Sequence, residues 1–250
     1  MPIITLSELK DCLSAFANDV RQIAVLTGAG MSAESGVPTF RGRDGLWRGM
    51  APEELFSPQA LQDDPALIWQ MYDELRCRIA AAPPNAGHLA LAALASRRRV
   101  SLATQNIDGL HQRAGSTALQ ELHGTLWRLR CTACGSATDD LRAPLPALPP
   151  RCARCAEILR PDIVLFSESL PAEASRAAVE AAQSCALMLV IGTSGVVYPA
   201  AGLPTLARAH GATVLEINPH ATALTPEMDY SLRATAAQAL PVLVRCLVSR

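Results

Sequence analysis

Strand-length apolar runs recur along the chain at Ile23 to Leu26, Val100 to Ala103, Ile163 to Phe166, Leu187 to Ile191 and Val214 to Ile217, and Ala- and Leu-rich helical segments separate most of them. A strand that is apolar on both faces is covered on both faces, which is the habit of parallel sheets with helices above and below. The pattern therefore predicts an α/β fold. Two stretches interrupt it. Residues 42–83 carry three prolines ahead of a helical "ALIWQMYDELRCRIAAA", and residues 128–162 hold four cysteines and the turn-rich "APLPALPPRC". Both read as insertions into one sheet domain made of residues 1–41, 84–127 and 163–250. The proline-rich loop is too short to link independent domains.

Composition narrows the function classes. With 50% hydrophobic residues in 250, a substantial core can be buried. The formal charge of -1 sets 22 basic against 23 acidic residues, so there is no basic stripe of the kind a phosphate backbone requires, and only 4% of residues are aromatic. Nucleic acid is not an expected partner, although "SRRR" at Ser96 to Arg99 and "RLRC" are the stretches such a reading would use. No stretch is apolar enough to cross a membrane, and "MPIITLSELKDCLSAFANDV" has no signal-peptide character, which leads to an expected cytoplasmic location.

Of the eight cysteines, Cys131, Cys134, Cys152 and Cys155 form C-x2-C-x17-C-x2-C. Each knuckle can place two thiolates on a tetrahedral Zn²⁺, and in a reducing compartment zinc is favoured over two disulfides. Four thiolates close the coordination sphere, so the expected zinc is structural.

Three strand ends carry polar or small residues where ligands of open α/β sheets bind. After the first strand come Gly28, Ala29 and Gly30, whose backbone N–H groups can approach a pyrophosphate; an ordinary steric need for glycine explains them equally well. After the second come Gln105, Asn106 and Asp108, three side chains where a helix cap needs only one. Late in the chain Gly192, Thr193, Ser194 and Asn218 offer small donors and acceptors suited to a ribose and an adenine. His123, in "LQELHGTLW", sits where the sheet domain should meet the metal module; it is a candidate general base, and Gly124 beside it would let a ligand come close. His88 and His111 read as structural.

Taken together, "GAGMSAESGVPTFR", "PNAGH", "TQNIDGLHQRAG", "HG", the paired knuckles, "GTSGVVYPA" and "EIN" resemble, in order, the motifs of the sirtuin family of NAD-dependent protein deacylases, and most closely its bacterial and mitochondrial deacylase branch. The resemblance spans about residues 20 to 245. It implies a Rossmann-like parallel sheet domain with a small inserted zinc-ribbon and helical module, NAD consumed as co-substrate, one structural Zn²⁺, and acylated-lysine proteins as substrates. It also implies roles. Ala29 and its flanking glycines would cradle the pyrophosphate, Phe40 and Arg41 would lie on a loop over the nicotinamide ribose, and Gln105, Asn106 and Asp108 would form the nicotinamide pocket. His123 would be the catalytic base, with Thr193, Ser194, Asn218 and Ala236 on the adenosine side.

In the implied reaction the acyl-lysine carbonyl oxygen attacks C1′ of the nicotinamide ribose, nicotinamide leaves, and His123 takes a proton from the ribose so that a hydroxyl can attack the imidate. Hydrolysis of that adduct by water then gives free lysine and acylated ADP-ribose. A protein that binds NAD without cleaving it is the alternative from another class. For the acyl group, Tyr72, Leu75 and Arg76 are the substrate candidates. Members that remove succinyl or malonyl groups carry Tyr-x-x-Arg, whereas "YDELR" puts Leu75 in the arginine position and Arg76 one residue, or about 100° of helix, further on. Neutral acyl groups are therefore expected over succinyl, with a desuccinylase or demalonylase using Tyr72 and Arg76 as the alternative.

Overall fold

The strands expected around Val25, Leu102, Leu189 and Leu215 lie side by side in one parallel sheet. The computed structural model describes residues 3–9, 11, 20, 22–39 and 56–248. In chain order these form strands β1 (Ile3–Ile4) and β2 (Gln22–Thr27), helices α1 (Pro58–Asp63), α2 (Pro65–Ala81) and α3 (Ala86–Ala95), strand β3 (Arg99–Thr104), helix α4 (Leu110–Arg113) and strand β4 (Leu119–Glu121). Strands β5 (Gly124–Cys131), β6 (Ala137–Asp139) and β7 (Leu159–Ile163) follow, then helix α5 (Ala172–Ser184), strand β8 (Leu187–Ile191) and helix α6 (Leu203–Ala209). Strands β9 (Thr213–Ile217) and β10 (Tyr230–Leu232) and helix α7 (Ala236–Val248) complete the described order.

The large sheet runs β1-β10-β9-β8-β2-β3-β4, every pairing parallel. Side chains alternate between its faces. Ile23, Val25, Leu102, Leu189 and Ile217 meet Leu91 and Leu94 of α3 and Leu240 and Leu243 of α7 on one side. Ala24, Leu26, Ala103, Val190 and Val214 meet Ala178 and Ala182 of α5 and Leu203 and Ala207 of α6 on the other. Each fully buried leucine or isoleucine contributes about 1.5–3 kcal/mol relative to exposure. Starting from β2 the chain builds outward to β3 and β4, then returns to β8 on β2's other side, so order reverses between β2 and β8. A crevice opens at such a reversal beyond the strands' carboxyl ends.

A second, antiparallel sheet, β6-β5-β7, holds the cysteine knuckles. It shares one core with the helical insertion: Ile68, Trp69, Tyr72, Leu75 and Ile79 of α2 pack with Leu126, Leu129, Leu159 and Ile163. Ser57 and Asp64 cap α1 and α2 through their side-chain oxygens, each immediately before a proline that needs no N–H partner. The expected strand at Ile163 to Phe166 is corrected here. Only Ile163 lies in a strand, and that strand pairs antiparallel with β5, outside the parallel sheet. Beyond it Val164 N–H bonds His123 O and Phe166 N–H bonds Phe56 O, so the apolar run bridges the two bodies. The short strands β1, β4 and β10 lacked a long enough apolar run to stand out.

Candidate active site and metal centre

At the order reversal the β2 and β8 turns touch. Gly28 N–H donates to Ile191 O at 3.0 Å and Gly30 N–H to Gly192 O at 2.8 Å. A Cβ on Gly30 would lie 2.7 Å from Gly192 Cα, and one on Gly28 2.8 Å from Thr193 Cα. The glycines are thus needed for turn-on-turn packing, and their N–H groups are already engaged. Ala29 N–H between them makes no hydrogen bond among the described residues. A cleft of about 1280 Å³ opens above these turns, lined by Gly28, Ala29, Gly30, Gln105, Asn106, His123, Gly192, Thr193, Ser194 and Asn218. The expected strand-end residues therefore converge, except Asp108 and Ala236.

His123 follows β4 and immediately precedes β5. Its Nδ1 lies 2.9 Å from Gln105 O, an acceptor only, so Nδ1 carries the proton and the neutral ring keeps Nε2 as a free base. Burial pushes the imidazole below its ordinary range, and the bond to Gln105 partly offsets this. Gly124 serves another purpose than the sequence suggested. Its φ is 71° and a Cβ there would sit 2.1 Å from Asp162 O, so the glycine admits strand β7 where ligand access was expected.

Gln105 Nε2 donates to Thr193 Oγ1 at 3.0 Å, joining the β3 and β8 ends. Asn106 Nδ2 donates to Gly28 O at 3.0 Å and to Ser32 Oγ at 3.3 Å. Asp108 stands behind them, accepting from Ser32 Oγ at 2.7 Å and from Leu110 N–H at 2.8 Å. Burial raises its pKa against those two bonds. Asp108 thus sets Ser32, and through it Asn106.

Two histidines complete this buried layer. His88 Nδ1 accepts from Asn85 N–H, which leaves Nε2–H toward Ser32 Oγ at 3.4 Å. Thr27 donates to Thr104, so His111 Nε2–H donates to Thr27 at 3.0 Å. Burial holds His88 down to about 4 and His111 down to about 3, the latter also repelled by His88. Both are neutral structural groups, in line with their sequence reading.

Thr193 O accepts from Asn218 Nδ2 at 3.1 Å, ordering the far end of the cleft. Ala236 is buried beneath it, and Thr235 lines the surface in its place. Glu34 Oε2 accepts from Ala237 N–H at 2.8 Å, tying the first turn to the start of α7. Residues 163–170 and 218–223 also line the cleft. Apart from Asn218, spacing offered no signal for them: residues 163–170 follow the cysteine insertion and 219–223 form the loop after β9.

The four cysteine sulfurs lie within 4.8 Å of one another. The Cys134–Cys152 pair is 3.8 Å apart and the Cys131–Cys155 pair 3.4 Å, against the roughly 3.8 Å edge of a tetrahedron with Zn–S bonds of about 2.3 Å and the roughly 2.05 Å of a disulfide. Backbone N–H groups of Cys134 and Arg154 point to Cys131 and Cys152 Sγ. The set fits a closed tetrathiolate zinc site that offers no open position to a substrate.

Comparison with known proteins agrees with this geometry. The Sir2 family model matches residues 28–199, from the first glycine turn through Pro199 at the cleft rim. The chain belongs to the Sir2 family. The "NAD-dependent protein deacylase 2" of Pyrobaculum aerophilum is 52% identical over 225 residues, covering 90% of each chain. The "NAD-dependent protein deacylase" of Aquifex aeolicus is 48% identical over 219 residues, 87% of this chain and 92% of its own. A solved Sir2 homolog–NAD complex superposes with a TM-score of 0.90 at 42% identity, over 95% of this chain and 93% of that one.

The remaining candidates of this Sir2 protein fall elsewhere. Phe40 and Arg41 lie outside the described residues. Tyr72, Leu75 and Arg76 are all buried and do not line the cleft. Tyr72 packs edge-on against Phe56 and Trp69, and burial pushes its phenol upward. The Arg76 guanidinium donates to Leu126 O, to Asp140 O at 2.6 Å and to Arg142 O at 2.8 Å, and stacks 4.9 Å from the Trp127 ring. Arg76, about 100° round the helix from Leu75 as the one-residue offset implied, points into the metal-bearing body.

Proposed function

We propose that this chain is an NAD-dependent protein-lysine deacylase that releases nicotinamide and an O-acyl-ADP-ribose. The observation that carries the reading is His123. Its Nδ1–H is fixed on Gln105 O, its Nε2 is free, and the ring lines the same cleft as the polar strand ends. NAD supplies the ribose carbon that accepts the acyl oxygen, and is consumed. Ala29 and the strand-end residues Thr193, Ser194 and Asn218 would hold its pyrophosphate and adenosine. Asn106, set by Asp108 and Ser32, and Gln105 would face the nicotinamide. His123 Nε2 would take the ribose proton, and burial keeps that nitrogen unprotonated at neutral pH. Exposed Phe166 and Tyr198 on the rim suit an extended peptide bearing the acyl-lysine.

Neutral acyl groups, acetyl or longer, are favoured over succinyl. What supports this is that Arg76 is committed to carbonyls, while Arg160 beyond Tyr72 is held by both Glu168 oxygens at 2.6 and 2.7 Å. An acyl carboxylate would have to displace a partner from one of them, and burying it unpaired is costly. The cytoplasmic reading belongs to the same proposal, and no described helix is long and apolar enough to cross a membrane. The division into residues 1–41, 84–127 and 163–250 with insertions 42–83 and 128–162 belongs to the same proposal.

The test measures nicotinamide release and lysine deacylation on one peptide carrying acetyl, butyryl or succinyl groups. Release only with an acylated peptide is expected, with acetyl ahead of succinyl in kcat/KM. His123→Ala should lose about 10²- to 10⁴-fold in kcat while binding NAD within a few-fold. NAD binding without nicotinamide release in the wild type would instead identify an NAD sensor.

A further inference from the structure

A carboxylate that the proposed chemistry does not use lies under one end of the cleft. Glu216, in the interior strand β9, is 1% exposed. Its oxygens accept from Thr222 Oγ1 at 2.5 Å, Thr225 Oγ1 at 2.8 Å, Ser231 Oγ at 2.6 Å and Arg233 Nη1 at 3.2 Å. Two of these hydroxyls pass the order on to the backbone. Thr222 Oγ1 accepts from Leu224 N–H at 3.2 Å, and Thr225 Oγ1 accepts from Thr222 N–H at 2.8 Å. Arg233 Nη1 also donates to His220 O at 2.7 Å. The segment so held, residues 218–223, lines the cleft beside Thr193 and Ser194.

From this arrangement we infer that Glu216 is a positioning residue for the adenosine end of the dinucleotide site, fixing the loop that closes that end. The inference rests on the reading that NAD occupies the cleft with its adenosine toward Thr193 and Asn218. A carboxylate is required because all four partners donate to it, and an acceptor-only group can receive them together. A glutamine would turn an N–H₂ toward these donors and remove the charge that pairs with Arg233, so at least one hydroxyl would lose its acceptor and have to reorient, loosening the loop it orders. The loop is the part that can respond, since β9 and β10 are held on both sides by the ladder.

The experiment compares wild type, Glu216→Gln and Thr222→Val. It reads ADP-ribose Kd by calorimetry, KM for NAD and for acetyl-peptide, kcat at saturating NAD, nicotinamide inhibition and Tm. Glu216→Gln should raise ADP-ribose Kd and NAD KM by about tenfold, with kcat, peptide KM and nicotinamide inhibition within about twofold. Thr222→Val, which leaves the buried carboxylate in place, should move the same two constants in the same direction by less. Unchanged ADP-ribose affinity in a folded Glu216→Gln protein would overturn the inference. So would parallel loss of every constant with Tm, or, should Glu216→Gln not fold, wild-type ADP-ribose affinity in Thr222→Val. Wild-type protein that binds no ADP-ribose would instead overturn the underlying NAD reading.

Discussion

Arg76 and Glu216 are both buried charges, 0% and 1% exposed, yet they serve opposite kinds of structure. Arg76 collects backbone carbonyls from Leu126, Asp140 and Arg142, far from it in sequence, and its Nε makes no hydrogen bond among the described residues. Glu216 collects side-chain hydroxyls from the 15 residues that follow it. In the parallel sheet two apolar layers already hold the strands, so a buried charge can be devoted to shaping one loop. The smaller body has one modest core and long irregular loops, and there the charge and the metal hold segments together. That body is also tied to the cleft, because β5 begins next to His123 and ends at Cys131 of the cysteine cluster.

Metal removal should give the largest effect and draws the contrast most sharply. A structural zinc contributes about 10–16 kcal/mol of apparent binding free energy to folding at pH 7. Chelation, or Cys131→Ser, is expected to unfold the small body while the large sheet survives. Trp69 and Trp127 both lie in that body, so their fluorescence should shift toward that of exposed indole, while far-UV dichroism keeps most of its helical signal. Deacylation should be lost with the zinc. A zinc-free protein with unchanged fluorescence and activity would remove the metal from the fold.

Arg76→Met comes next. It keeps the stem but takes the donor from the buried Leu126 and Asp140 carbonyls and the half-buried Arg142 carbonyl, and breaking such a buried charged site costs about 3–5 kcal/mol. Asp140 keeps Arg142, 2.5 Å away, so it is not itself stranded. Denaturant unfolding should show this loss, and Arg76→Lys should recover little, since one ammonium cannot span three carbonyl directions. Full stability in Arg76→Met would erase the distinction between the two regions.

The sheet side has its own buried polar layer, and pH tests it. His88 and His111 titrate near 6.5 unfolded but are held to about 4 and about 3 when folded. Below pH 6.5 the unfolded chain therefore binds more protons than the folded one. Their contribution to stability is complete above that pH and is lost progressively as pH falls through 6.5 toward 3. A loss on the order of a few kcal/mol by pH 4 is expected, with a shallower slope in His88→Gln. A slope unchanged by that substitution would assign acid sensitivity to the carboxylates instead.

The legibility of the two regions differed for the same reason that their energetics do. Central strands such as Leu187–Ile191 announce themselves because burial on both faces leaves nothing polar in them. The knuckles were legible because metal geometry dictates their spacing. Strand ends delivered His123, Gln105, Asn106 and Thr193 to one cleft, since the parallel sheet aligns its carboxyl ends. The turn of Arg76 away from Leu75 was legible from helix periodicity, but its carbonyl partners and the run after Ile163 were not, as both depend on how the two insertions pack against each other. Glu216 was hidden inside "VLEIN", where one acidic letter in an apolar strand does not reveal four converging donors.

The smallest effect compares one backbone position in each region. Ala156, after the second knuckle, and Ser167, in the cleft wall, have φ of 61° and 71°, in the left-handed region that costs non-glycine residues about 1–2 kcal/mol. Glycine relieves that strain but gives back about 0.4–1 kcal/mol through a freer unfolded chain. Ala156→Gly, which removes only a methyl group, should therefore gain about 0.5 kcal/mol. Ser167→Gly also loses the bond from Ser167 Oγ to Phe166 O at 2.5 Å, so its gain should be smaller, a few tenths at most. The cleft wall would then be looser at Ser167 itself, while Val164 and Phe166 stay bonded to His123 O and Phe56 O and Glu168 stays paired with Arg160, and peptide KM should rise modestly with no change in NAD KM. Equal gains in both variants with unchanged peptide KM would mean that the Ser167 hydroxyl holds nothing, and that the cleft wall is supported by its backbone hydrogen bonds and the Arg160–Glu168 pair.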